Sequence, residues 1–213
     1  MNQGTAPAPR FYVFAPPASH AGLPGDLAEA LRAVAAVAVL LRLAQAGEPD
    51  LIEEVRRVAP QVQDAGAALL IDGHPELVAR TGADGAHLAG PDALKAGLPL
   101  LKPQRIAGAG LLHSRHDAMV AGEAGADYVM FGEPDASGHR PSLGAVIERI
   151  AWWAELFEIP CIAYAARLDD IDPLAAAGAD FIAVGEALFG DPRGVRIAAV
   201  DAAARLKIME PTG

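Results

Sequence analysis

An arginine inside an apolar run, Val37 to Leu43, is the first group in this chain able to do chemistry. Arg42 offers a planar fork that suits phosphate or pyrophosphate. The same side chain can also carry its charge out to water past an apolar rim, and both readings are open. Asp72 and Asp92 each follow a short apolar stretch. Either carboxylate can cap a helix or hold a divalent cation. His113 precedes Ser114-Arg-His-Asp117, where an imidazole can serve as general acid or base. Ser137-Gly-His139-Arg140 puts a hydroxyl, an imidazole and a guanidinium on one glycine-containing loop. That set can hold phosphate oxygens, and it is equally at home on an ordinary surface loop. Arg167, Gly185 and Glu186 complete the candidates. The glycine lets an anion approach the backbone, Arg167 can attract it, and Glu186 either opens a helix or opposes it. His87, inside an apolar stretch, reads more readily as a partnered core histidine than as a catalyst.

These residues fall just after short apolar runs, so the elements that carry them come next. Gly-Ala-Asp occurs three times, at Gly82, Gly125 and Gly178, each time ahead of a strand-like run. That repetition suggests one βα unit used over and over. Strands are expected at Phe11–Phe14, Val37–Leu43, Ala67–Ile71, Ala86–Leu88, Arg105–Ala109, Tyr128–Phe131, Pro160–Tyr164 and Phe181–Val184. Helices are expected at Leu27–Val34, Asp50–Val58, Glu76–Arg80 behind Pro75, briefly near Ala93, from a Ser114 cap to Glu123, at Ser142–Phe157, at Ile171–Ala176, and from Asp191 through Ile208. Eight strands alternating with eight helical segments imply parallel βαβ units, and that number closes into a single (β/α)8 TIM barrel. The runner-up, an open doubly wound sheet, would lead one to look for Gly-x-Gly-x-x-Gly after the first strand, and none is there. In such a barrel, chemistry sits at the strand C-terminal ends. Residues 1–10 read as a flexible tail and 11–213 as the barrel domain.

Composition narrows the classes. At 213 residues the chain can bury one large core. A net charge of −10 argues against non-specific binding to nucleic acid or to an acidic membrane surface. The single cysteine, Cys161, excludes an intramolecular disulfide. Neither a signal-peptide pattern nor a long charge-free apolar run is evident, so a cytoplasmic protein is expected. Trp152 and Trp153 are adjacent on a helix and cannot both face one core. One of them is therefore a candidate contact in a homo-oligomer, or simply a rim contact within the barrel.

The order of motifs resembles the thiamine phosphate synthase family, which includes the thiazole tautomerases. The resemblance runs over roughly residues 11–190. It rests on Gly82-Ala-Asp-Gly-Ala-His-Leu88, His113-Ser114, Gly125-Ala-Asp-Tyr-Val-Met-Phe-Gly132, Ile159-Pro160 and Gly178-Ala-Asp-Phe-Ile-Ala-Val184. It implies a barrel that joins a pyrimidine diphosphate to a thiazole phosphate with magnesium (Mg2+) and loss of pyrophosphate. The family's Gln-x-Arg-x-Lys falls on Leu40, Arg42 and Ala44, so only the arginine is kept. Its Asn-Asp falls on Asp72 and Gly73, and its second magnesium aspartate on Asp92. The serine two residues before the histidine is Leu111. The Gly-Pro-x-x-x-Thr-x-Thr-Lys loop becomes Gly132-Glu-Pro-Asp-Ala-Ser137-Gly-His139-Arg140. The Gly-Gly of the seventh strand is Ala165-Ala166, and the serine of the eighth is Glu186.

What the resemblance implies is thus a barrel with altered metal and phosphate sites. Asp72 and Asp92 would hold the metal. Arg42, Ser137, His139, Arg140, Arg167, Gly185 and Glu186 would face the phosphorylated or heterocyclic ligand, with His113 and Arg42 nearest the chemistry. The alternatives are a tautomerase-type barrel enzyme, which needs no diphosphate chemistry, and a ligand-binding paralogue without catalysis.

Overall fold

A computed structural model describes residues 8–17 and 22–208, with backbone alone for 207 and 208. The flexible tail expected at 1–10 falls mostly outside the described residues. Eight parallel strands close into a barrel in sequential order. They are β1 (Arg10–Ala15), β2 (Ala38–Leu41), β3 (Ala68–Asp72), β4 (Gly85–Ala89), β5 (Ile106–Gly110), β6 (Tyr128–Phe131), β7 (Cys161–Ala165) and β8 (Phe181–Val184). The helices between and after them are α1 (Leu23–Val34), α2 (Glu48–Asp64), α3 (Pro75–Thr81), α4 (Gly90–Leu101), α5 (Arg115–Ala124), α6 (Leu143–Leu156), α7 (Ile171–Ala176), α8 (Glu186–Phe189) and α9 (Val195–Ile208).

Strand side chains alternate between two cores, as the period of two requires. Inward, Tyr12, Phe14, Leu40, Leu70, Met130 and Tyr164 fill the barrel lumen. Outward, residues such as Val13, Val39, Ile71, Phe131 and Ile182 meet the helices. Trp153 of α6 is fully buried against the outer face, where its indole N–H donates to the Ile159 carbonyl at 2.7 Å. Trp152 is only partly covered, and the Arg115 guanidinium lies over its ring.

The repeated Gly-Ala-Asp is a staple between strands. Each glycine ends a helix with positive φ: 78° at Gly82, 107° at Gly125 and 97° at Gly178. Each alanine is buried. Each aspartate closes a two-way pair with the start of the preceding strand. The Asp84, Asp127 and Asp180 carboxylates accept from the amides of Leu69, Ala107 and Cys161 at 2.8, 2.7 and 2.8 Å. Their own amides donate back to the same residues' carbonyls. A fourth copy stands between α1 and β2 in altered form. There Ala35 takes the positive φ, at 45°, and Ala36 is buried. Val37 donates its amide to the Phe11 carbonyl and has no carboxylate to return the bond.

Several boundaries differ from the sequence reading. Strand β2 stops at Leu41, so Arg42 and Leu43 lie past its end. The brief helix near Ala93 is a full 12 residues, α4, with Pro91 in its first turn and Pro99 inside its last. Its buried Leu94, Gly97 and Leu101 recur at helical spacing, and that packing outweighs the proline. The last helix begins at Val195 rather than Asp191, and the short α8 precedes it. Between them, the amide and guanidinium of Arg193 donate to Asp191 in a tight turn.

Candidate functional site

The strand C-terminal ends gather most of the predicted residues. Arg42 does not turn outward. Its guanidinium lies 4.4 Å from the centre of the Phe14 ring, and its Nε is 3.6 Å from Asp72. Phe14 belongs to the lumen cluster, so the stacking holds the cation over the barrel mouth. Across the mouth stands Tyr164, whose hydroxyl accepts from the Glu186 amide at 3.5 Å. Burial pushes this phenol above its ordinary pKa, while the Glu186 amide, Arg42 and Arg140 pull it back. Both guanidiniums therefore act on one phenol. Arg140 is also 3.7 Å from Glu186, whose side chain is largely exposed. Gly185 is needed where it stands, because a Cβ there would press on the Phe14 carbonyl at 2.9 Å.

The remaining candidates are spread more widely. Asp72 ends β3, and Asp92 is exposed in the first turn of α4. No group of three or more metal-ligating side chains forms among the described residues. The Ser137 hydroxyl donates to Asp135 at 2.6 Å, and the amides of Ser137 and His139 donate to the same carboxylate. Those bonds, the hydroxyl's foremost, hold the Asp135 carboxyl below its ordinary range. His113 and His139 are exposed, and both line a small pocket of about 140 Å3 with Glu133 and Arg149. Arg149 braces the rim by donating to the carbonyls of Leu112 and His113. Arg167 lines a separate cleft of about 510 Å3 on the β7–β8 side, together with Glu186, Arg193 and Arg205. Arg193 and Arg205 are paired with aspartates. A larger cavity, about 760 Å3, opens at the other end of the barrel, where the strands begin. Its lining includes Tyr12, Ala38, Ala68 and Tyr128.

A buried polar column runs between the two ends. The Tyr12 and Tyr128 hydroxyls are 2.9 Å apart, and Tyr128 is 2.9 Å from His87 Nδ1. His87 Nε2 lies 3.8 Å from Glu133 Oε1, with both side chains almost wholly buried. Glu133 Oε1 also accepts from the Leu111 amide, and Leu111 is held at φ 49°, uncommon for a leucine. One proton order fits both hydrogen bonds. Tyr12 donates to Tyr128, Tyr128 donates to Nδ1, and Nε2–H faces the carboxylate. Burial keeps both phenols neutral by raising their pKa values. Two glycines of β5 make the space. A Cβ on Gly108 would collide with the Tyr128 ring, and one on Gly110 with Glu133 and His87.

The sequence reading placed His87 correctly in the core but did not single out Glu133, Tyr12 or Tyr128. Glu133 sits in a polar loop string and resembles a solvated carboxylate. The available signal was Gly108 and Gly110, two lumen-facing glycines in β5 beside His87 in β4.

The arrangement leaves two partly exposed guanidiniums, Arg42 and Arg140, at the barrel mouth. Comparisons with known proteins agree on its family. The sequence profile described as thiamine monophosphate synthase matches residues 11–188. The thiamine-phosphate synthase of Rhodospirillum centenum is 36% identical over 201 residues, covering 90% of this chain and 95% of its own. That of Hyphomonas neptunium is 36% identical over 197 residues, covering 88% and 89%. Among solved structures, the thiamine phosphate pyrophosphorylase of Pyrococcus furiosus superposes with a TM-score of 0.79 at 22% identity, over 94% of this chain and 96% of that one, a likeness of fold. With its barrel, its ordered motifs and its full-length relatives taken together, the chain belongs to the thiamine monophosphate synthase family.

Proposed function

We propose that this barrel joins a pyrimidine diphosphate to a thiazole phosphate and releases pyrophosphate. The observation that carries the reading is the pair of guanidiniums at the mouth: Arg42 stacks on Phe14, whose ring meets Tyr164, and Arg140 pairs with Glu186, whose amide bonds the Tyr164 hydroxyl. Two fixed guanidiniums in a partly buried site are suited to the charge that builds on a departing pyrophosphate. Magnesium fits this arrangement in one form. The ion needs only one or two protein carboxylates when substrate phosphates complete its shell, and Asp72 and Asp92 would supply them. Bound there, it would neutralise charge on the leaving group. Arg42, already 3.6 Å from Asp72, would help orient that carboxylate. A cytoplasmic location, with its one cysteine free and buried, goes with this reading.

A second reading is a ligand-binding barrel without turnover. Two commitments favour it: the Ser137 hydroxyl is engaged by Asp135, and Arg140 by Glu186. Pyrophosphate release from the substrate pair with magnesium separates the two. Turnover in the wild type that falls by two to three orders of magnitude in Arg42→Ala, the effect of about 3–4 kcal/mol of lost charge stabilisation, supports the synthase. No turnover from folded protein leaves the binding barrel.

A further inference from the structure

We infer that the cavity at the strand-start end of the barrel is a second ligand site, shaped for a small aromatic monoanion and anchored by Arg10. It lies at the opposite end from the mouth, and its occupancy does not depend on turnover there. Three observations carry the inference.

The first is a hole where a barrel is ordinarily filled. Layers of side chains pack the lumen of such a fold, and bulky branched residues dominate them. Here β2 and β3 begin with alanines in the lumen cluster, Ala38 and Ala68, which are register partners on adjacent strands. Tyr12 continues the same row on β1. Its ring and that of Tyr128, joined through hydroxyls 2.9 Å apart, line the cavity as its inner wall. The space left is about 760 Å3. Sites for drug-sized molecules hold about 300–1,000 Å3 and are mostly apolar with a few polar groups.

The second is the lining. Leu70, Ile106, Pro160, Ile162 and Phe181 supply apolar walls. With Tyr12 and Tyr128, Phe181 makes three aromatic rings around one space. Ring pairs gain from edge-to-face and offset contact beyond the area they bury, so an aromatic guest is favoured over an aliphatic one.

The third is charge. Arg10 and Asp127 are the two ionised side chains in the lining. Asp127 is committed, because its carboxylate accepts from Lys102 Nζ and from the Ala107 amide. Arg10 is not. Its guanidinium lies 5.2 Å from the centre of the Phe181 ring, its register partner on β8, and among the described residues it meets no carboxylate. Stacking on Phe181 holds the cation at the lip of the cavity, and the open fork of an arginine suits a carboxylate or a sulfonate. Lys102 and Asp127 cancel each other, so one positive charge remains, and it calls for an anion.

The test uses two probes on the full chain, followed by fluorescence titration. One is 1-anilinonaphthalene-8-sulfonate, an aromatic monoanion. The other is N-phenyl-1-naphthylamine, the same ring system without the charge. The expected result is saturable one-to-one binding of both. Ala68→Leu puts a branched side chain into the space and should weaken both at least about tenfold, the scale of extra methylenes forced into a filled site. Arg10→Gln should weaken the sulfonate roughly three- to fivefold, the scale of an exposed ion pair, and leave the neutral probe unchanged. No saturable binding by the intact chain overturns the inference. So does binding that appears only after removal of residues 1–7, which lead into β1 at this end. Undiminished binding in folded Ala68→Leu places the probes elsewhere and overturns it too. If Ala68→Leu does not fold, Arg10→Gln decides alone. Equal losses of both probes in that variant, or no loss of either, overturn the anchor and with it the class of ligand.

Discussion

Gly110→Ala is the sharpest probe of the buried column. A Cβ at this position would lie well inside 3.0 Å of both Glu133 Oε1 and His87 Nε2, closer than real Cβ atoms come. Neither neighbour is the loose end of an exposed chain. Glu133 is tied by the Leu111 amide, and His87 by the Tyr128 hydroxyl. Inserting a methyl into such a core costs about 1–3 kcal/mol through displaced side chains. Driving the carboxylate from its donors adds about 1–3 kcal/mol of unmet hydrogen bonding. At about 2–4 °C per kcal/mol for a chain of this size, the midpoint of thermal unfolding should fall by roughly 4–24 °C. The control is Gly144→Ala. A Cβ there meets nothing within 4 Å, and the residue lies in α6, so the change should stabilise by about 0.5–1 kcal/mol. Both are read by calorimetry or by urea midpoints at constant m. In Gly110→Ala/Glu133→Ala the carboxylate half of the clash is gone, and part of the loss should return. If Gly110→Ala melts within 2 °C of the wild type, β5 and β6 are not packed around this column.

Three further outcomes are expected. Ser114→Ala removes the cap in which Ser114 and Asp117 exchange hydrogen bonds, and it should lower the unfolding free energy by about 1 kcal/mol in urea titration. Ala35→Gly relieves a left-handed alanine at the end of α1 and should raise it by roughly 1 kcal/mol, whereas any Ala-to-Gly change at ordinary φ lowers it. Burial pushes the Cys161 thiol from 9.0 up to about 12. The unfolded thiol ionises first as pH rises, so this stabilisation is complete below pH 9 and lost between 9.0 and about 12. Alkylation of native protein at pH 8 should accordingly run at least about a hundredfold slower than that of a free thiol, and labelling at the free rate would refute the buried placement.

Much of the barrel was legible because its signals are local. Gly-Ala-Asp marks a helix stop, a core contact and a strand-to-strand carboxylate in three consecutive residues, and it is visible without knowing which strands meet. Ser114 and Asp117 announce their helix in the same way. The site was legible only in part. Arg42 was visible as a charge in an apolar run, but its partners Phe14 and Asp72 come from neighbouring strands. Ser137 read as a phosphate ligand from its loop, and its bond to Asp135, two residues away, was not anticipated. Glu133 was hidden because its place in the column depends on an absent side chain, at Gly110 on β5. Absences on one strand that make room for a group on another carry no local pattern.

The strand staples have a further consequence, for how the molecule comes apart. They join β3 to β4, β5 to β6 and β7 to β8, so the barrel is made of two-stranded quarters. In three of these a carboxylate locks the register, while the β1–β2 quarter has Val37 in its place. Cooperative opening begins where the fewest bonds must break. Native-state hydrogen exchange should therefore release the Val37 amide before those of Asp84, Asp127 and Asp180, which makes the first quarter the seam of the barrel. Phe14, the ring that holds Arg42 over the mouth, belongs to that quarter. The quarter without a carboxylate staple is thus the one that positions Arg42, and loosening the seam would free that guanidinium first while the other three quarters stand.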